Sequence, residues 1–96
     1  MNDADAAQIA KAMSHTVRIE VVRALRDQGV LSPTGFAGES GETLGNVSYH
    51  FKALLAAEVV AVVETVPRRG AMEHFYSLSG RRAGAALKVL ELLAGP

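Results

Sequence analysis

The 96-residue sequence contains no cysteine and no tryptophan, only three prolines, and aromatic residues at just 5%. The lack of cysteine excludes a disulfide scaffold, a thiolate metal site and a cysteine nucleophile together. No apolar run approaches the roughly 18 residues of a membrane-spanning helix, so a soluble chain is expected. An excess of charge is missing too: ten Lys and Arg balance ten Asp and Glu. That balance argues against a uniformly basic surface but leaves room for a locally basic face. The opening Met1-Asn2-Asp3-Ala4-Asp5 is acidic, where a secretory leader begins with positive charge, so a cytoplasmic location is expected.

What is present is globular usage, 49% apolar and 21% charged. At this length the expectation is one domain over residues 1–96, since single cores need roughly 50–200 residues. Residues 4–13 are alanine-rich and free of breakers, and read as a helix with Ile9 and Met13 on one side. Ser14 suits an N-cap for a second helix, 15–28, in which Val17, Val21 and Leu25 recur at helical spacing and Arg18, Arg23 and Arg26 are left for the outer sides. Leu31-Ser32-Pro33 is a helix-entry signal for a short third helix to about Ser40, held by packing of Phe36 and Ala37 because Gly35 and Gly38 weaken it.

Residues 44–57 form the most informative helix. Leu44, Val47, Phe51, Leu54 and Leu55 gather on one face; Gly45, Tyr49, Lys52, Ala53 and Ala56 occupy the other, flanked by Asn46. The period then changes. Residues 59–66 are β-branched and read as a strand, Pro67-Arg68-Arg69-Gly70 as a basic turn, and 72–78 as the returning strand of a hairpin. Residues 81–94 read as a final helix, apolar almost all round, with Leu87, Leu90 and Leu93 among its apolar positions. Such a helix needs cover on more than one side, and a second copy of the chain is the expected cover, through Ile9, Met13, Leu87, Leu90 and Leu93. The fold class is therefore mainly α with a β-hairpin, in the order α-α-α-α-β-β-α: a winged helix-turn-helix arrangement.

On this order the residues carry a resemblance. Ala12-Met13-Ser14-His15-Thr16-Val17-Arg18 resembles the A-L-S-H-P-x-R entry of the ArsR-type winged helix family, and residues 44–54 (LGNVSYHFKAL) resemble its recognition helix. Glu58-Val59-Val60 is similar to the A-G-L-V that follows, and residues 69–76 (RGAMEHFY) to the wing and its returning strand. The resemblance spans about residues 6–80. It implies a homodimeric, sequence-specific regulator of transcription, often a repressor, binding a pseudo-palindromic double-stranded DNA operator. Four features depart from the family pattern. The third helix lacks the cysteine pair of the metal-sensing members, the final helix has no histidine and only Glu91 as carboxylate, Ser40 stands where an apolar residue is expected, and Thr16 where proline is common.

Small side chains at Gly45, Ala53 and Ala56 permit close approach to a major groove roughly 12 Å wide. Asn46 suits a base edge, most naturally adenine; Ser48 and Tyr49 suit phosphate or base, and Lys52 a phosphate. The plain alternative is an amphipathic helix with a mild surface and Tyr49 half packed. Arg68 and Arg69 at a hairpin tip suit phosphates or the minor groove, the alternative being solubilising charge on a turn. Arg18, Arg23 and Arg26 are read as surface charges pairing with neighbours such as Glu20 and Asp27. His15, His50 and His74 fall on separate elements without ligand spacing, so they read as structural, with no metal and no cofactor. Scattered Ser, His and Glu give no nucleophile elbow and no phosphate-cradling loop, so an enzyme is not expected. The rival reading is a winged-helix module that docks another protein and binds no DNA.

Overall fold

The computed structural model describes residues 2–94. Helix α1 (Asp3–Ala12) opens at Asn2, whose side chain accepts the Asp5 N–H, and carries Asp3 and Asp5 in its first turn, where carboxylates favour the positive end of the helix dipole. Helix α2 (Thr16–Gln28) starts later than expected, with His15 rather than Ser14 at its N-cap. The Ser14 hydroxyl instead donates to the Lys11 carbonyl at 2.7 Å and so closes α1. Strand β1 (Val30–Leu31) has no counterpart in the sequence reading, because two residues carry no alternation; it forms by pairing with Ser77 and Tyr76.

Helix α3 (Pro33–Ser40) follows Ser32, whose hydroxyl accepts the Gly35 N–H at 3.0 Å, and stops at Gly41, which is left-handed at φ 78°. Its anchor is Phe36, packed edge-on against Phe51 with ring centroids 6.3 Å apart. Helix α4 (Leu44–Ala56) ends in a crossed pair of bonds, Glu58 N–H to Leu55 O and Val59 N–H to Leu54 O, both 3.0 Å. That cap needs a left-handed residue, usually glycine; here Glu58 takes the role at φ 61°. Arg81 and Arg82 meet its carboxylate at 2.8 and 3.3 Å, offsetting part of the backbone strain.

The cap also moves the strand. Val59 and Val60, expected in it, are buried beneath the helix end, and β2 runs Ala61–Arg68. Strand β3 (Ala71–Ser77) lies between the other two in an antiparallel sheet of order β1-β3-β2. As an edge strand β2 tolerates Pro67, and a bulge between Val62 and Glu64 breaks its register. Helix α5 (Ala83–Ala94) begins beyond the expected Arg81, because residues 79–82 form a turn docked on the α4 cap. There Gly80 N–H reaches Val59 O at 3.3 Å and Arg82 N–H reaches Glu58 O at 2.8 Å. The Arg82 guanidinium pairs with Asp5 at 2.7 Å and donates to the Ala57 carbonyl, tying α1, α4 and α5 together.

The core unites Val21, Val22 and Leu25 of α2, Val47, Phe51 and Leu54 of α4, Tyr76 of β3, and Ala86 and Leu90 of α5. Three residues expected at a contact between copies belong here. Ile9, Met13 and Leu90 are buried within their own chain, Leu90 completely, so they leave little surface to bury on association. Periodicity marks an apolar face without saying which chain covers it. Leu87 is half-buried against the core, whereas Leu93 is 56% exposed and its neighbour Leu92 76% exposed.

Candidate nucleic-acid interface

Helix α4 is fixed from both ends. The Thr43 hydroxyl accepts the Asn46 N–H at 3.2 Å, and burial of Val47, Phe51 and Leu54 sets the rotation of the helix about its axis. The opposite face therefore projects outward: Gly45, Asn46, Tyr49, Lys52 and Ala56 are exposed, Ser48 and Ala53 half-buried. Two residues assigned to the inner face lie outside it. Leu44 begins the helix and is half exposed at the edge of a cleft, and Leu55 is exposed near the far end. At the start of the outer face the Glu42 carboxylate accepts from Asn46 Nδ2 at 3.2 Å.

A cleft of about 620 Å³ separates α4 from the hairpin, with Leu44, Ser48 and Lys52 on one wall and Arg68, Met72 and His74 on the other. The hairpin tip is tighter than expected, since Arg68 still belongs to β2 and only Arg69 and Gly70 (φ 67°) make the turn. Arg68 Nε donates to Glu73 Oε1 at 2.8 Å, and the Ser32 hydroxyl donates to Glu73 Oε2 at 2.6 Å. Ser32 thus caps α3 and, through Glu73, anchors Arg68 on the wall of the cleft that faces Lys52. The Ser32 hydroxyl and the Arg68 guanidinium together hold the Glu73 carboxyl below its usual range. Arg69 is exposed and forms no ion pair among the described residues.

On α2 the expectation divides. Arg23 pairs with Glu20 and Arg26 with Asp27 at the surface. Arg18 does not point outward: it is buried, and its Nε donates to His50 Nδ1 at 3.0 Å. Counting polar residues as outward missed it; the partner 32 positions away could not be seen in local periodicity. The His15 and His50 rings, placed on separate elements by the sequence, lie 5.5 Å apart. His74 stands apart on the hairpin beside Thr65. No group of three or more His, Cys, Asp or Glu able to hold a metal occurs among the described residues.

Because Arg18 is a permanent donor, His50 Nδ1 accepts and its proton sits on Nε2. Burial, reinforced by the positive charge of Arg18 and by His15 against a weaker opposing pull from Glu42, pushes the His50 pKa below its ordinary 6.5. The unfolded chain therefore binds this proton at higher pH than the folded chain does. Stability from His50 is complete above about pH 6.5 and is lost as pH falls through and below it. Thermal midpoints measured from about pH 7.5 down to about pH 5 should fall, and should fall less steeply in His50→Gln. Equal slopes in the two proteins would contradict a neutral buried His50.

No protein-family model matches the chain, and no curated protein matches it in sequence. Solved structures do. Reduced HlyU from Vibrio cholerae is 25% identical, with 99% of this chain and 94% of that one covered at TM-score 0.73. NolR from Sinorhizobium fredii is 22% identical over 96% and 86% of the two chains, at TM-score 0.70. The homodimeric winged helix-turn-helix DNA-binding domain of Mb0332 from Mycobacterium bovis, a possible ArsR-family regulator, is 19% identical over 98% and 87%, also at 0.70. With the hairpin beside α4 and these likenesses running nearly end to end, the chain has the winged helix-turn-helix fold, the one it shares with HlyU, NolR and Mb0332.

Proposed function

We propose that this domain binds double-stranded DNA in a sequence-specific manner, as a homodimer that regulates transcription and represses it by occupying its site. The observation that carries the reading is α4 itself: an outward-facing helix with small residues at Gly45, Ala53 and Ala56, beside a hairpin that carries Arg68 and Arg69 at its tip. Such a helix enters a major groove, and the hairpin then meets the adjacent backbone or minor groove. Asn46 and Tyr49 face base edges, with Tyr49 62% exposed, while Ser48, Lys52, Arg68 and Arg69 take phosphates. Mb0332, with the same fold, is described as a homodimeric DNA-binding domain, which supports both parts of the reading.

A second copy would cover the outer side of α5 through Leu92 and Leu93, with Leu87 at the edge. Two α4 helices then address successive major grooves roughly 34–36 Å apart on a pseudo-palindromic operator. With a net charge of zero, binding depends on the local basic residues and weakens steeply with salt.

Duplex binding titrated against salt tests the proposal. Arg68→Ala with Arg69→Ala should weaken binding to all sequences alike and flatten the salt slope by about 0.9 for each phosphate the protein no longer neutralises. Asn46→Ala should leave that slope alone and relax preference at one base position, by about 1–3 kcal/mol of discrimination. Absence of any duplex complex at low salt, together with specific capture of a protein partner, would instead favour the protein-docking reading.

A further inference from the structure

Arg18 carries its charge at only 6% exposure, and among the described residues it has no carboxylate partner. Its side-chain hydrogen bond goes to a neutral imidazole nitrogen, His50 Nδ1. Arg23, Arg26, Arg68, Arg81 and Arg82 each meet a carboxylate. The Tyr49 ring, 5.9 Å from the Arg18 guanidinium carbon, offers a modest cation–π contact and no counter-charge. The first turn of α2, where Arg18 sits, contains no acidic residue, and this end of the helix already carries the positive pole of its dipole. Buried charges are normally paired, so this guanidinium is short of an anion.

Arg18 lines a surface notch of about 230 Å³ between α1 and α4, walled by Gln8 and Lys11 on one side and by Tyr49, Ala53 and Ala56 on the other. Among the described residues no carboxylate lines it, and its alanines keep it open. The notch lies on the flank of α4 opposite the hairpin cleft, since Ser48 and Lys52 face the hairpin while Tyr49, Ala53 and Ala56 face α1. A helix with side chains is about 10–12 Å across and nearly fills a major groove, so the two sugar-phosphate backbones run along its two flanks.

We infer that this notch is a phosphate site, and that in the DNA complex it holds a backbone phosphate of the strand bordering the major groove on the side away from the hairpin. The inference rests on the DNA-binding reading above. The phosphate oxygens accept from Lys11 Nζ, from the Gln8 amide and from the Arg18 N–H groups that His50 leaves unused. The ligand is read as charge and carries no sequence preference. Lys11 and Gln8 thereby join the interface, although the sequence singled out only Ile9 and Met13 on that helix.

Lys11→Ala and Gln8→Glu test the site at exposed positions that leave the core untouched. Lys11→Ala should weaken duplex binding several-fold near physiological salt and lower the salt slope by about 0.9 per protomer, with base preferences unchanged. Gln8→Glu should weaken binding at least as much, because its carboxylate supplies the anion that Arg18 lacks. If both variants bind like the parent while Lys52→Ala weakens binding, the notch is not a backbone contact and the DNA reading stands without it. If the parent binds no duplex at low salt, both readings fall together. A third arm separates the sources of phosphate. Thermal stabilisation by inorganic phosphate over sodium chloride of equal ionic strength, abolished by Gln8→Glu while duplex affinity is unchanged, would assign the notch to a free anion and overturn the backbone assignment.

Discussion

Leu90→Asp is expected to abolish folding, whereas Leu93→Asp is expected to leave a folded chain that no longer self-associates. The positions lie one turn apart on α5, yet Leu90 is wholly buried against the core and Leu93 is largely open. Truncating a buried leucine alone costs about 2–5 kcal/mol. Replacing it with a carboxylate adds the penalty of an unpaired buried charge, or of protonating it, worth several kcal/mol more. A domain of this size has only about 5–15 kcal/mol to lose. Circular dichroism of Leu90→Asp should therefore show an unfolded chain at 25 °C. Under the proposed homodimer, sedimentation should show the parent as a dimer and Leu93→Asp as a folded monomer. A native-like Leu90→Asp would contradict the burial of this side chain, and a dimeric Leu93→Asp would remove the outer side of α5 from the proposed contact.

Gly80→Ala is expected to destabilise the fold strongly, although it adds a single methyl group. A Cβ at this position would stand 2.1 Å from the Glu58 carbonyl oxygen and 2.4 Å from its carbon. These are backbone atoms of the α4 cap and cannot swing aside as a flexible side chain would. The turn must lift, breaking the bonds from Gly80 N–H to Val59 O and from Arg82 N–H to Glu58 O. Overpacking of this kind typically costs about 1–3 kcal/mol, and the broken hydrogen bonds add about 1 kcal/mol each. Urea unfolding should show a midpoint well below that of the parent. By contrast, Gly38→Ala in α3, where the added atom meets nothing within 4 Å, should leave the midpoint unchanged or raise it. Equal midpoints for Gly80→Ala and the parent would show that the turn has room to move.

Much of this fold is legible along the chain. The Ser32-Pro33 entry, the Gly41 stop and the inward triad Val47, Phe51 and Leu54 are local signals, and each element they predict forms where they stand. The outer face of α4 follows from the same arithmetic, because fixing one side of a helix fixes the other. Several departures share one cause. Strand β1, the burial of Arg18 and the inward placement of Ile9, Met13 and Leu90 depend on partners far away in sequence. Polarity marked Arg18 as a surface residue, whereas its long stem packs inside and its head finds His50. Glu58 occupies a left-handed position that no helix or strand pattern can announce, held there by Arg81 and Arg82 from the other end of the domain.

The sequence by itself determined the succession of elements, the side of α4 that turns outward and the arginines at the hairpin tip, because periodicity, caps and turn residues act over a few bonds. Only the tertiary structure decided which apolar positions the chain covers for itself, that Ser32 and Glu73 anchor Arg68, and that a buried guanidinium opens onto a notch with no carboxylate among the described residues. Those outcomes depend on desolvation and on charge at a distance, and both are properties of the assembled chain that no local stretch of sequence contains.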